Sequence, residues 1–415
     1  MENGKKIYWG WYVVAGSFFV LAINYGARYC FGVFLKPLSL EHDWSRSVIS
    51  LAATINMAVY STGAIFLGRM LDRIAPRWII TCGALLAATG FFLTSRIHTP
   101  LGFYITYGLL VGMGASCLGV VVCSSSVGKW FLKKRGIALG IASMGISFGT
   151  MALTPLVGYV NQYLSWRAGL IVLGIITCLV GVLISQLLMR KTRPEDYGLL
   201  PDGDKILLTG HSTSPPAVIR IPTSVIFRDG RFWTIAIGHG LIVMVIMSVF
   251  VHQVACAMDN GISSIAAATS LAVISITGFT GQFFFGWLSD RVRDPKHAYI
   301  IGILVLLIGT ILLWQAHSVT RLYVSALVYG FGYGSLAPIL PILAADRFGR
   351  HVLGSIYGLL TFFAGIGGSI GPILGGVIYD NFGTYQHLWE INIAILTIVS
   401  LVMFTLKKGK HFSIQ

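Results

Sequence analysis

The stretch GRMLDR, residues 68–73, returns in form as GWLSDR at residues 286–291, 218 positions later. A glycine opens each stretch and an Asp-Arg pair closes it. The same offset relates GIALGIA (136–142) to GSIYGLL (354–360) and VGMG (111–114) to YGFG (329–332), and Pro155 and Pro372 follow it to within one position. An offset that holds at four places along the chain predicts two homologous halves.

Long apolar segments make up most of the chain. Its 415 residues are 55% hydrophobic and only 11% charged, whereas soluble domains carry about 25% charged residues. About 20 apolar residues suffice for a helix to cross a bilayer. Twelve such spans can be drawn, at about 8–35, 46–70, 77–96, 100–127, 134–160, 166–189, 232–257, 264–288, 297–317, 321–346, 353–379 and 386–406. We therefore predict an all-α polytopic membrane protein with twelve transmembrane helices.

One polar, proline-containing stretch at 190–231 separates six spans from six. This predicts an N-terminal six-helix bundle (1–190), a cytoplasmic inter-bundle loop (191–230) and a C-terminal six-helix bundle (231–415). Two homologous halves with a site between them near the middle of the bilayer are typical of secondary transporters.

The net charge of +15 is unevenly placed. Twelve spans put both termini on one side of the membrane. Of the 30 lysines and arginines, one, Arg28, lies within span 1 and five lie on the far side, which leaves 24 on the side of the termini. The five are Lys36, Arg46, Arg96, Arg167 and Arg321. By the positive-inside rule we predict a multi-pass protein of the plasma (inner) membrane with cytoplasmic termini. The charge thus sets orientation in the lipid bilayer, and no nucleic-acid partner is needed to explain it.

The sequence gives no reason to expect a metal ion or a cofactor. The six cysteines are scattered through apolar segments without a CxxC pair, where cysteine behaves as a small hydrophobic residue. No GxxxxGK[ST] phosphate-binding loop occurs, which argues against direct coupling to ATP. No HExxH motif, pair of deep aspartates or nucleophile motif indicates an enzyme.

Four stretches carry a resemblance to a known family. GRMLDRIAPR (68–77) resembles the loop between spans 2 and 3 of the major facilitator superfamily. Within it, the chain resembles the monocarboxylate transporters and their bacterial relatives, including oxalate:formate antiporter-like proteins. This narrower resemblance rests on YWGWYVV (8–14), WFLKKRGIALGIASMGISFG (130–149) and RPEDYGLLPDG (193–203). The second of these is the most specific.

The resemblance implies the major facilitator fold and alternating access by a rocker switch. It also implies a gating role for four residues at the cytoplasmic ends of spans 2 and 8, through ion pairs between helices. These residues are Asp72, Arg73, Asp290 and Arg291.

Arg28 stands deep inside the first apolar span. It precedes Lys36 by eight residues, about 12 Å along a helix, and a cation at such depth usually faces the bundle interior or a cavity. No acidic residue lies deep in any predicted span. A guanidinium binds a carboxylate through two parallel hydrogen bonds, so a substrate carboxylate is a candidate partner. A structural role, with the side chain reaching the interface or helix carbonyls, is the alternative.

Other polar and aromatic residues in the spans are weaker candidates. Monocarboxylate transporters carry an arginine in span 8, often with an aspartate one turn earlier, but here those positions hold Gln282 and Gly278. Arg28 is therefore our candidate for the anion-binding charge. We predict further substrate contacts from Asn24, Tyr25, Tyr29, Gln282, Asn56, Tyr60, Tyr329, Tyr333 and Phe362. His252 is the candidate for proton coupling. Aromatic residues in spans more often serve packing, although transporter cavities are commonly lined with them.

We predict a secondary active transporter for a small organic anion, a monocarboxylate, that functions as a monomer. Proton symport and anion exchange both stay open. The alternative within transport is an exporter of a neutral or amphipathic solute, with Arg28 structural. A membrane sensor built on a transporter fold is disfavoured because the central loop and tail are too short for an appended domain.

Overall fold

A computed structural model describes residues 8–44, 46–71, 73–197, 199–203, 226–349 and 352–408. Twelve of its helices are long and apolar enough to cross a membrane. In order, spans 1 to 12 are Trp9–Phe34, Val48–Met70, Pro76–Thr94, Pro100–Trp130, Arg135–Tyr163, Trp166–Leu188, Gly230–Asp259, Ala266–Arg291, Pro295–Trp314, Val319–Phe348, Leu353–Phe382 and Gln386–Phe404. Each agrees with its predicted span to within a few residues, so the predicted fold class is confirmed. We call the membrane side at which the chain starts and ends the termini side.

Short polar caps begin several helices on the far side. The side chains of Thr99, Ser165 and Ser318 each accept a hydrogen bond from the backbone N–H three residues later. Such caps satisfy donors that the first helical turn leaves free. They fix where spans 4, 6 and 10 enter the apolar layer.

Three spans are interrupted along their length. In span 1, helix Trp9–Tyr29 ends before Cys30, and helix Phe31–His42 follows and continues beyond the end of the span. Span 4 passes through Pro100–Phe103, a π-helical stretch Tyr104–Val111 and Gly112–Cys117, and restarts as Val120–Trp130. Span 10 is divided into Val319–Tyr333 and Leu336–Phe348. Transporters commonly place such interruptions at their binding sites.

The two sets of six spans meet through two glycine crossings near the termini side. Span 2 crosses span 11 at Gly68 and Gly354, where a Cβ atom on either glycine would collide with the carbonyl group of the other. Span 5 crosses span 8 in the same way at Gly136 and Gly286. Because only glycine permits such an approach, these four residues define how closely the halves can meet.

The contact between spans 5 and 8 loosens toward the far side. Gly140 still packs on the backbone at Gln282, where a Cβ atom would lie 2.9 Å from the carbonyl oxygen. At Gly278 the nearest atom of span 5, Ser147 Oγ, lies at an ordinary 3.5 Å from such a Cβ. Beyond Ser147 a cavity separates the two spans. The halves are therefore tight at the termini side and parted at the other.

The sequence GIALGIASMGISFG uses two faces of span 5. Gly136 and Gly140 contact span 8, whereas Cβ atoms at Gly145 and Gly149 would collide with the carbonyls of Phe18 and Ala22 in span 1. Glycines spaced four or five residues apart thus let one helix approach a neighbour within its half and a helix of the other half. The glycines of this motif therefore serve close helix packing.

A buried ion pair joins the end of span 10 to the start of span 9. Arg347, which has no exposed side-chain surface, donates from Nη2 to both carboxylate oxygens of Asp294, at 2.7 and 2.8 Å. Arg347 also pairs with the more exposed Asp346. Burial by itself would raise the pKa of Asp294, but the N–H of Lys296 and the guanidinium outweigh it, so the pKa lies below its usual value.

Candidate functional site

A cavity of about 610 Å³ lies between the two halves. Its walls come from both sets of six spans, and they are mainly apolar and aromatic. Seven of the predicted contact residues line it: Tyr25, Arg28, Tyr29, Asn56, Tyr60, Gln282 and Tyr333. No aspartate or glutamate is among its lining residues in the described part of the chain.

Arg28 is held in the cavity by soft, uncharged partners. Its Nη2 atom lies 3.0 Å from the sulphur of Met57 in span 2, and its guanidinium carbon lies 4.1 Å from the centre of the Tyr60 ring. Within the described ranges no acidic side chain forms an ion pair with it. A thioether is a weak acceptor, so most of the hydrogen-bonding capacity of this cation is left for a ligand.

Tyrosines and amides position the groups around Arg28. The hydroxyl groups of Tyr25 and Tyr60 are hydrogen-bonded at 2.9 Å, which fixes the ring that stacks on the guanidinium. Asn56 donates to the backbone carbonyl of Tyr107 at 3.0 Å. Gln282, only 1% exposed, has no partner for its Oε1 atom among the described residues. An amide without a partner beside a cavity can accept a hydrogen bond from a ligand.

Two half-helices begin at the cavity. Val120 and Leu336 are the first residues of Val120–Trp130 and Leu336–Phe348, and both line the cavity. The N-terminus of a helix carries about half a positive charge and free N–H groups. Gly119, before Val120, is extended, so this helix start adds to the positive potential of Arg28. Gly334 and Ser335 keep helical backbone angles, so the backbone before Leu336 stays helical.

Three predicted contact residues do not line the cavity. Asn24 is buried without a partner for its Nδ2 atom in the described structure. The backbone of Tyr329 packs on Gly309 of span 9. The ring of Phe362 packs on that of Phe363.

The predicted proton-coupling residue, His252, differs in position from a second histidine, His239. His252 lies outside the cavity, where its Nε2 atom is 2.8 Å from the carbonyl oxygen of Pro372 and its Nδ1 atom is 3.4 Å from the hydroxyl of Tyr385. His239 lines the cavity, and its Nδ1 atom is 2.7 Å from the hydroxyl of Tyr299.

The predicted gate residues lie at the glycine crossings. Asp290 accepts hydrogen bonds from the N–H groups of Gly136 and Ile137 at 2.6 and 2.9 Å, so its hydrogen-bond partners are a helix start and not the arginine that the sequence suggests. Arg291 lies over the ring of Trp287. Arg73 is exposed at the end of span 2. Asp72 falls outside the described residues.

Sequence reasoning missed several lining groups. Met57, Tyr107 and Tyr357 all contact the cavity. Met57 carries no sequence signal, because an apolar residue in a span is expected to pack. The half-helix starts do leave a signal, since Gly119 and Gly334 stand at the two interruptions in spans 4 and 10.

Twelve spans in two sets of six, enclosing a cavity with an unpaired arginine, define a membrane transporter. A family model described as the Major Facilitator Superfamily matches residues 17–292 and 252–410, and the chain belongs to this superfamily. The predicted resemblances to the major facilitator superfamily and to the monocarboxylate transporters are both confirmed.

Curated relatives of this chain are monocarboxylate transporters. Monocarboxylate transporter 13 of Bos taurus is 28% identical over 98% of this chain and 91% of its own length. Monocarboxylate transporter 12-B of Danio rerio is 26% identical over 96% of this chain and 87% of its own length.

Solved structures share the fold at low identity. The human organic anion transporter MFSD10 (TETRAN) has a TM-score of 0.74 at 15% identity, covering 95% of this chain and 99% of that one. The Escherichia coli fucose:proton symporter FucP has a TM-score of 0.69 at 16% identity, covering 96% of this chain and 98% of that one.

Proposed function

We propose that this transporter carries a small organic anion, a monocarboxylate, as a secondary active transporter. The observation that carries the proposal is Arg28, a cation in the central cavity whose contacts are a methionine sulphur and a tyrosine ring. A carboxylate would supply two charge-assisted hydrogen bonds that these partners cannot. The helix start at Val120 favours the same charge. The names of the curated relatives support the same substrate class.

Transport in this proposal follows a rocker switch. The glycine crossings keep the halves together at the termini side, while the far side is parted, so the described conformation faces outward. The carboxylate enters from the far side and binds Arg28. The halves then rock about the site, the crossings separate, and the cavity opens on the termini side. With the positive-inside rule, that side is the cytoplasm of a cell with this protein in its plasma (inner) membrane.

The coupling ion belongs to the same proposal. We keep His252 as the predicted proton-coupling residue. Its Nε2–H can donate to Pro372 while Nδ1 accepts from Tyr385 or, once protonated, donates to it, so both protonation states have partners. His239→Gln is the matched comparison because His239 lines the cavity. Loss of the pH dependence of uptake in His252→Gln alone would support His252 as the proton-coupling residue. Loss in His239→Gln alone would assign proton coupling to His239. A pH profile of uptake that is unchanged in both variants would favour anion exchange.

The apolar walls of the cavity favour a second candidate, export of a neutral or amphipathic solute with Arg28 structural. One experiment separates the two. Purified Arg28→Ala, Arg28→Lys and, as control, Arg96→Ala at an exposed far-side position are reconstituted into liposomes. Uptake of labelled lactate, pyruvate and longer monocarboxylates is then measured.

We expect Arg28→Ala to lose at least 100-fold in carboxylate uptake, because two hydrogen bonds to a charged group contribute about 1.5–3 kcal/mol each. Arg28→Lys should retain part of the uptake and Arg96→Ala all of it. Unchanged uptake in Arg28→Ala would refute the anion site and favour the second candidate.

A further inference from the structure

A second cavity, of about 430 Å³, lies between spans 5 and 8 where the halves part. We call it the side cavity. Hydroxyl-bearing and apolar residues of the two spans form its walls, among them Ser147, Thr150, Ala272 and Ser275. No lysine, arginine, histidine, aspartate or glutamate lines it in the described part of the chain.

The side cavity adjoins the central one. Tyr29, Ile146, Phe250, Leu271 and Tyr333 line both. Two of these, Tyr29 and Tyr333, come from opposite halves and sit at the boundary, one residue after Arg28 and immediately before the interruption in span 10. The side chains of Tyr29 and Tyr333 interact with each other at this boundary. A ligand whose charged end binds Arg28 can therefore extend past this pair into an uncharged space.

The volumes bear on the size of that ligand. Protein pockets of about 300–1,000 Å³ enclose drug-sized molecules and bury most of their surface. The central cavity alone, about 610 Å³, is in this range, and the side cavity adds to it. A three-carbon acid such as lactate would contact Arg28 and leave most of the apolar wall facing water, so it would gain little from the hydrophobic effect.

We propose that the site takes monocarboxylates with a large apolar body, either aryl or medium-chain alkyl. This inference rests on the proposed carboxylate site. The carboxylate binds Arg28, the chain or ring passes beside the Tyr29–Tyr333 pair, and the side cavity receives its far end. The hydroxyls of Ser147, Thr150 and Ser275 leave room for an acid that carries a polar substituent there.

The test measures binding to the full-length protein in nanodiscs by calorimetry. The probes are straight-chain carboxylates from acetate to decanoate and the phenyl-substituted acids of matching length. Alcohols of the same lengths, and empty nanodiscs, control for partition into lipid. If the body is buried, each added methylene should tighten binding about four-fold, until the side cavity is full, and the alcohols should show no such gain over empty nanodiscs.

Ala272→Trp fills the side cavity, and Val324→Trp, at a lipid-exposed position that lines neither cavity, is its matched control. We expect Ala272→Trp to lower the ratio of octanoate to propionate affinity at least ten-fold, and Val324→Trp to keep it. Affinity that does not rise with chain length, or a ratio that Ala272→Trp leaves unchanged, would overturn the inference while the carboxylate site stands. Failure of every acid to bind would overturn the proposed function itself.

Discussion

The carboxylate of Asp290, at the end of span 8, accepts a 2.6 Å hydrogen bond from the backbone N–H of Gly136, at the start of span 5. This bond joins the two halves directly beside the Gly136–Gly286 crossing. A second carboxylate, Asp202, approaches the same turn from the described part of the central loop and accepts from the N–H groups of Leu132 and Lys133 at 3.0 and 2.8 Å. Of these two carboxylates, only Asp290 belongs to the C-terminal set of six spans, so only its hydrogen bonds join the two halves.

Asp290→Asn should therefore destabilise the conformation in which the two halves are closed at the termini side. Asp202→Asn should leave that conformation unchanged. A carboxylate at a helix N-terminus contributes about 0.3–2 kcal/mol, so we expect the ratio of molecules closed at the termini side to molecules open there to fall by about two-fold to thirty-fold. Spin labels at Leu132→Cys and His297→Cys, in a cysteine-free background, would report the distance between the termini-side ends of the two halves. Equal distance distributions in Asp290→Asn and the parent protein would show that this bond does not hold the gate.

Gly68→Ala should impair transport without impairing folding. The added methyl group would collide with the carbonyl of Gly354, so spans 2 and 11 could no longer meet. Alanine is a better helix former than glycine by about 1 kcal/mol, so the helix itself gains stability. We expect normal expression and at least a ten-fold loss of uptake. Gly376→Ala is the control, because a Cβ atom there has nothing within 4 Å. Similar losses in both variants would argue against a specific role for the crossing.

Gln282→Arg should express poorly or bind its substrate too tightly for fast turnover, and the additional change Arg28→Gln should relieve this effect. Arg28 and Gln282 line one cavity, so the variant would place two cations there without an added carboxylate. An uncompensated buried charge costs several kcal/mol. The exchange Gln282→Arg with Arg28→Gln restores one cation and should recover part of the carboxylate uptake lost in Arg28→Gln. If the exchange variant is no better than Arg28→Gln, the two positions are not equivalent in anion binding.

Asp294→Asn should destabilise the fold, because it leaves Arg347 buried with one exposed partner. Loss of one member of a buried ion pair costs about 3–5 kcal/mol, whereas Asp346→Asn, which removes the more exposed carboxylate, should cost about 1 kcal/mol or less. Thermal unfolding of the two variants in the same detergent tests this order. Equal melting temperatures in the two variants would mean that burial of the Asp294–Arg347 pair adds nothing to the stability of the fold.

The acid dependence of the same pair follows from the lowered pKa of Asp294. A carboxyl group whose pKa is lower in the folded state stabilises the fold fully above its unfolded pKa, about 3.9. That contribution disappears as pH falls through the folded pKa. The difference in melting temperature between the parent protein and Asp294→Asn should thus be constant from pH 7 to about pH 5 and shrink below about pH 4. A difference that already shrinks between pH 7 and pH 6 would exclude Asp294 as its source.

The fold was predictable because the bilayer imposes a length on each apolar segment and a bias on the cations between them. The position of Arg28 was predictable for a related reason, since an intramembrane cation usually faces the bundle interior or a cavity. The direction of each side chain was harder to predict. Tyr329 and Tyr333 are one turn apart, yet four residues turn a helix by about 400°, and this offset leaves Tyr333 in the cavity while Tyr329 packs toward span 9. The contact between Arg28 and Met57 depends on how spans 1 and 2 pack, which no local pattern encodes.

The two glycine crossings have a consequence for the origin of the chain. Gly68 and Gly286 are 218 positions apart, and so are Gly136 and Gly354. The contacts join Gly68 to Gly354 and Gly136 to Gly286. In a two-fold symmetric dimer, residue i of one subunit meets residue j of the other, and j meets i. The crossings obey this rule, so a single pair of glycines in a six-helix ancestor would have formed both contacts of an isologous dimer. Fusion of two copies then freed each crossing to diverge without altering the other.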